Sequence, residues 1–242
     1  GVLDRLLEED GLEIDGISAT SAGAMNAAAL KIGWVLGGPE GARAQLTAFW
    51  EEVSKHTALP DPLMNGWLEA VWPDPETFSR LVEMSPAYRT ADIAQRLLSP
   101  YRFNPANLHP LRPVLEKMLD TGCLCAAEGP RLFVGATNVR TGKIKIFKDS
   151  HVTPDALLAS ACLPTLFQAV EIEDPETGRL EAYWDGGYTG NPALFPLIYE
   201  TACDDVLIVH INPMHREEVP RSATEIAPRA STRLNRCEAF RQ

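Results

Sequence analysis

Cysteine is scarce in this chain and poorly spaced for metal or disulfide chemistry. The five are Cys123, Cys125, Cys162, Cys203 and Cys237. The count is odd and no CxxC pair occurs, so neither a disulfide framework nor a zinc site is expected, and a reducing, cytoplasmic setting follows. Basic residues are short too: 22 Lys+Arg against 33 Asp+Glu leave a net charge of −11. Nucleic acid demands a basic footprint, so it is excluded as a main partner. The same deficit argues against strong docking on anionic lipid. Long apolar runs are missing. The best, Ala27 to Gly38, is interrupted by Lys31 and several glycines and is too short to span a bilayer. The first residues, GVLDRLLEED, read as an amphipathic helix rather than a signal peptide. A soluble protein is expected, with at most peripheral membrane contact. No motif asks for a metal or other cofactor.

What is present is a globular composition. With 242 residues, 45% of them hydrophobic, the chain can bury one sizeable core. Helical periodicity predicts a first helix over Val2 to Glu9, ended by Asp10-Gly11. A buried strand from Leu12 to Ala19 follows, then a small, apolar helix from about Ala22 to Trp34. Gly37, Gly38 and Pro39 break the chain before an amphipathic helix from Glu40 to His56, with Leu46, Phe49, Trp50 and Val53 on one face. Residues 60–113 are rich in Pro and Trp and read as short helical pieces, as compatible with a cap over a site as with an irregular insert. Another helix is expected over Pro113 to Leu119.

β signals then concentrate. Arg131 to Val139 and Lys143 to Lys148 flank Thr141-Gly142 as a hairpin. A helix over Pro154 to Cys162 follows. Gln168 to Glu173 and Leu180 to Trp184 flank the turn Asp174 to Gly178. The run DVLIVHI, Asp205 to Ile211, has the pattern of a central parallel strand. Alternating strands and helices make the class α/β with a mixed, mainly parallel sheet. Residues 1–215 form the expected domain, and 216–242 read as a polar tail.

Ser21 lies between the strand ending at Ala19 and the helix beginning at Ala22. A sharp strand–turn–helix junction of this kind exposes a serine Oγ, and the helix N-terminus aims free N–H groups at a developing oxyanion. Backbone donors are then expected from Ala22 and Gly23. Read alone, Ser-x-Gly is weak, since about one match per chain arises by chance, and a helix N-cap accounts for it equally well. Asp185 opens the single Asp-Gly-Gly of the chain, with Gly186 and Gly187 as a supporting turn. It too stands at a strand end. Asp-Gly also signals a hairpin, but Asn191-Pro192 and ALFPLIY follow instead of a returning strand. Among the five histidines, His56, His109, His151, His210 and His215, only His210 has a position compatible with a Ser21–Asp185–His210 triad of the α/β-hydrolase kind. That fold builds several strands before its nucleophile, and only twenty residues precede Ser21.

Four segments resemble the patatin-like phospholipases, bacterial members in particular: ATSAGAMNA (19–27), FVGATNVRTGK (133–143), ASACLPTLFQ (159–168) and DGGYTGNP (185–192). They occur in family order and span most of Gly1 to about Pro213. The resemblance implies a three-layer α/β/α fold and a Ser–Asp dyad, with Ser21 as nucleophile and Asp185 as its partner, acting on acyl-lipid or phospholipid esters without a cofactor. Two departures accompany it. Ala19 stands where the family carries glycine, adding a methyl to a crowded turn. The family's N-terminal strand and glycine-rich oxyanion loop have no counterpart upstream of Ser21, so impaired activity, or a binding role in place of catalysis, is an alternative expectation.

Overall fold

The computed structural model describes residues 1–9, 11–57 and 99–209. Within them lie α1 (Val2–Leu6), β1 (Gly16–Ala19), α2 (Ala22–Thr57), α3 (Pro100–Phe103), α4 (Arg112–Met118), α5 (Thr121–Leu124), β2 (Arg131–Asn138), β3 (Ile144–Lys148), α6 (Pro154–Ser160), β4 (Val170–Asp174), β5 (Arg179–Asp185) and α7 (Phe195–Glu200). Single 3-10 turns occupy Asp149–His151 and Gly186–Tyr188.

The strands form one five-stranded sheet around β2. β1 pairs with β2 in parallel from Gly16↔Arg131 to Ala19↔Val134. β3 returns antiparallel from Phe133↔Lys148 to Thr137↔Ile144, and β5 lies antiparallel from Ala136↔Asp185 to Asn138↔Tyr183. β4 completes the sheet against β5. A mixed sheet was expected, but a mainly parallel one was not found: one pairing is parallel and three are antiparallel among the described residues. The reason lies in the connections. Short turns such as Val139–Lys143 can join only antiparallel neighbours, whereas a parallel pair needs a long crossover, here supplied between β1 and β2.

β2 carries the core because it is covered on both faces. Leu132, Val134 and Ala136 alternate into a cluster with Ala24, Ala28, Leu30, Leu115, Leu157 and Leu158 from the helices α2, α4 and α6. Phe133 points to the other face, where a Cβ placed on Gly16 would meet Phe133 and Leu197 of α7. The result is a three-layer α/β/α arrangement. Alanine-rich sequence lets α2 lie against the sheet: Ala24, Ala28, Ala29 and Leu30 have no exposed surface. The predicted break in this helix is a kink at Gly37 and Gly38, Gly38 taking a φ of +61°. There the two arms meet backbone to backbone, since a Cβ on Gly33 or Gly41 would stand 2.3 Å from the other's carbonyl oxygen.

Several boundaries shift. α1 is shorter than expected, ending at Leu6, and β1 begins only at Gly16. The larger correction concerns DVLIVHI. Among its described residues, 205–209, no strand forms, and Val206, Leu207, Ile208 and Val209 are 44–69% exposed. An apolar β-rich run becomes a strand only once it is paired, and no described strand pairs with residues 205–209. Most of the 60–113 insert, His210 and the 216–242 tail fall outside the described residues.

Candidate active site

β2 fixes where the two sequence-predicted residues meet. β3 lies along one side of it, pairing with Phe133 to Thr137. β1 and β5 must therefore share the other side, running toward each other. β1 stops opposite Val134 and β5 stops opposite Ala136. The residue between those two stops is Gly135. Ser21 and Asp185 leave the strand ends at that point, one from each direction.

The junction needs glycine for space. A Cβ on Gly186 would fall 2.2 Å from the Gly135 carbonyl oxygen and 2.8 Å from Thr20 Cγ2. A Cβ on Gly135 would fall 2.9 Å from the same Thr20 methyl. Gly186 is thus demanded by the packing between turn and sheet. Gly23 is not: a Cβ there would meet only Ala19 Cβ, at an ordinary 3.8 Å. Ala19 therefore fits its turn, 8% exposed, and the extra methyl anticipated as crowding is accommodated.

Ser21 is one of three non-glycine residues with positive φ among the described residues, at +54°. A left-handed conformation for a residue with a Cβ costs on the order of 1–3 kcal/mol, and it persists only where neighbours impose it. Here the Ser21 N–H donates to Ser160 Oγ at 2.9 Å, and Ser160 in turn donates to the Gly135 carbonyl at 2.7 Å. On the other side Thr20 Oγ1 donates to Asn191 Oδ1 at 2.8 Å, and Ser18 Oγ donates to the Ala193 carbonyl. Ala24 N–H closes the first helical turn onto the Thr20 and Ser21 carbonyls. The N–H groups of Ala22 and Gly23 have no acceptor among the described residues, leaving them as donors at the positive end of the helix.

Asp185 is 4% exposed. Its carboxyl accepts the Gly187 N–H at 2.7 Å, and the Ser21 side chain lies close enough to stabilise its charged form. Burial pushes the carboxyl above the usual carboxylate range, and the Gly187 N–H and the nearby Ser21 side chain oppose that shift without cancelling it. Its backbone is held as firmly: Asp185 N–H donates to the Cys162 carbonyl at 2.9 Å, and Thr137 Oγ1 donates to the Asp185 carbonyl at 2.8 Å. A serine on a strained turn, a desolvated carboxyl beside it and two N–H groups without an acceptor among the described residues are the kinds of parts that acyl transfer uses.

The family model described as patatin-like phospholipase matches residues 1–198, more than three quarters of the chain. The chain belongs to the patatin-like phospholipase family. No curated protein sequence matches it. Membership makes this patatin-like domain one of a family of lipid acyl hydrolases with a three-layer α/β/α fold.

The predicted Ser21, Ala22, Gly23, Asp185, Gly186 and Gly187 all converge on the Gly135 junction of this patatin-like chain. His210 lies outside the described residues. Among those described, no histidine bonds to Asp185; His109 is stacked on Phe167 at 4.0 Å. Sequence reasoning missed Ser160, Thr137 and the Thr20–Asn191 pair. Each lies inside a segment that had been singled out, but a buried hydroxyl at a strand or helix end carries no periodic or spacing signal to mark it.

Proposed function

We propose that this chain is a serine acyl-ester hydrolase of acyl lipids, with Ser21 as nucleophile and Asp185 as its partner. The observation that carries the reading is the placement of Ser21 and the buried Asp185 carboxyl at strand ends that meet at Gly135, close enough for the Ser21 side chain to stabilise the carboxylate. In the reaction Asp185 takes and orients the Ser21 proton while Oγ attacks the ester carbonyl. The Ala22 and Gly23 N–H groups face the oxyanion. The proton then passes to the departing alcohol, leaving an acyl-serine that water cleaves by the same path reversed. An exposed aspartate near its ordinary pKa is a poor base at neutral pH; desolvation brings Asp185 closer to the range where a base is useful.

Two exposed apolar side chains suit an acyl-chain substrate. Leu163 is 39% exposed and follows Cys162, whose carbonyl holds Asp185. Tyr188 is 44% exposed and stands close enough to Asp185 for that charge, after burial, to push its phenol up. No helix among the described residues is long and apolar enough to cross a membrane, and we place the encounter with lipid at a membrane surface. The free, exposed thiols of Cys125 and Cys203 favour a reducing compartment.

The test is hydrolysis of p-nitrophenyl butyrate together with labelling by a fluorophosphonate probe. Ser21→Ala is expected to abolish both, and Asp185→Ala to abolish hydrolysis. Hydrolysis surviving in either variant removes the dyad. Absence of labelling in the unaltered chain would instead favour a patatin-like domain that binds lipid or a partner without turning it over.

A further inference from the structure

We propose that Ser160 is a positioning residue whose buried hydroxyl clamps the Ser21 backbone, aiming Oγ at Asp185 and withdrawing the Ser21 N–H from the oxyanion site. The inference rests on the reading of Ser21 as nucleophile and adds a residue to that site. Ser160 ends α6 and has no exposed surface. A hydroxyl carries one proton and two lone pairs. The Ser160 proton goes to the Gly135 carbonyl at 2.7 Å, and a lone pair takes the Ser21 N–H at 2.9 Å. Both hydrogen-bond directions are therefore set. The Gly135 carbonyl has a second neighbour, since it is the atom a Cβ on Gly186 would strike at 2.2 Å. One hydroxyl ties together the strained turn, the point on β2 where both strand ends arrive, and the α6 terminus.

Two consequences follow. First, the Ser21 φ of +54° is held from its N–H side by Ser160 and from its carbonyl side by the bonds from Ala24 and Met25. Removing one side lets the residue relax toward negative φ, which swings Oγ away from Asp185. Second, the nucleophile's own amide is spent on Ser160. Oxyanion donation from the elbow then comes from Ala22 and Gly23 and not from Ser21. Loss of Ser160 should lower turnover while leaving substrate affinity nearly untouched, because nothing that would hold the acyl chain changes.

The experiment uses the full chain and compares Ser160→Ala and Ser160→Cys with the unaltered protein. Residue-resolved amide exchange reads the clamp directly. In Ser160→Ala the Ser21 amide should exchange about 10-fold faster, the loss of one hydrogen bond, while the Leu132 and Val134 amides of β2 keep their protection. Hydrolysis of p-nitrophenyl butyrate should show kcat reduced about 10-fold or more with KM within about twofold, as for an interaction lost in the transition state. Ser160→Cys, which keeps a weak hydrogen-bonding group, should fall between, and it decides the matter if the alanine variant does not fold. An unchanged Ser21 exchange rate, or an unchanged kcat alongside faster exchange, overturns the proposal. If the unaltered chain neither hydrolyses ester nor is labelled at Ser21, the nucleophile reading fails, and amide exchange still decides whether the clamp exists.

Discussion

Ser21 leaves β1 through a strained backbone with room around it, whereas Asp185 leaves β5 through a relaxed backbone with almost none. The serine sits at positive φ, yet the nearby Gly23 has space for a side chain. The aspartate has ordinary negative φ, yet the adjacent Gly186 has no space at all. At the first end the fold stores conformational strain. At the second it stores the cost of a buried charge. On the proposed dyad the assignment has a chemical sense: a nucleophile needs a sharply turned, accessible atom, and a base needs desolvation.

The largest effect is expected from Asp185→Asn, which keeps shape and the Gly187 bond but cannot accept a proton. Ester hydrolysis should fall by roughly 10²–10⁴-fold, the usual share of general-base assistance. The pH dependence follows from the raised pKa. In the proposed dyad the carboxylate is the working form, so activity should decline on the acid side as pH falls through a value above the ordinary 3.8. Stability runs the opposite way. A carboxyl whose folded pKa is raised contributes most below its unfolded pKa and loses that contribution as pH rises through the folded one. Asp185→Asn should therefore melt at a higher temperature than the unaltered chain at neutral pH, with the difference vanishing below pH 3.8. Equal melting at both pH values would mean that the charge is not under stress.

A smaller effect separates the two glycines. Gly186→Ala forces a methyl onto the Gly135 carbonyl and should cost about 1–3 kcal/mol in urea unfolding, the scale of overpacking. Gly23→Ala, inside the first turn of α2, should be neutral or stabilising by up to about 1 kcal/mol, while hydrolysis drops because the methyl stands beside the N–H groups assigned to the oxyanion in the proposed reaction. Similar costs at both positions would show that crowding does not distinguish the two ends. The smallest effect concerns strain. Ser21→Gly should be more stable than Ser21→Ala by about 1 kcal/mol, since only the alanine keeps a Cβ in the left-handed region. Matching denaturation midpoints would mean that the turn relaxes freely.

Much of this was legible from sequence because it depends on local signals. Strand–Ser–helix and strand–Asp-Gly-Gly each placed a chemical group at an element end, and the β2–β3 and β4–β5 turns carried Thr141-Gly142 and Asp174–Gly178 in plain view. What was not legible depends on partners distant in the chain. Ser160 acts on Ser21 across 139 residues, and Thr137 acts on Asp185 across 48; neither hydroxyl differs locally from a solvated one. The exposed 205–209 run fails for the converse reason, since its composition names a strand but only a pairing edge can make one.

The end-on meeting of β1 and β5 along one side of β2 has a consequence for how such a protein can vary. Ser21 and Asp185 lie 164 positions apart in the chain, but the strand ends that carry them are set by a two-residue step of β2, from Val134 to Ala136. Surface segments between them can be lengthened, shortened or exchanged without altering that step. Under the proposed dyad, preference for one acyl chain or head group can thus be rewritten by loop exchange while Ser21 and Asp185 keep their distance.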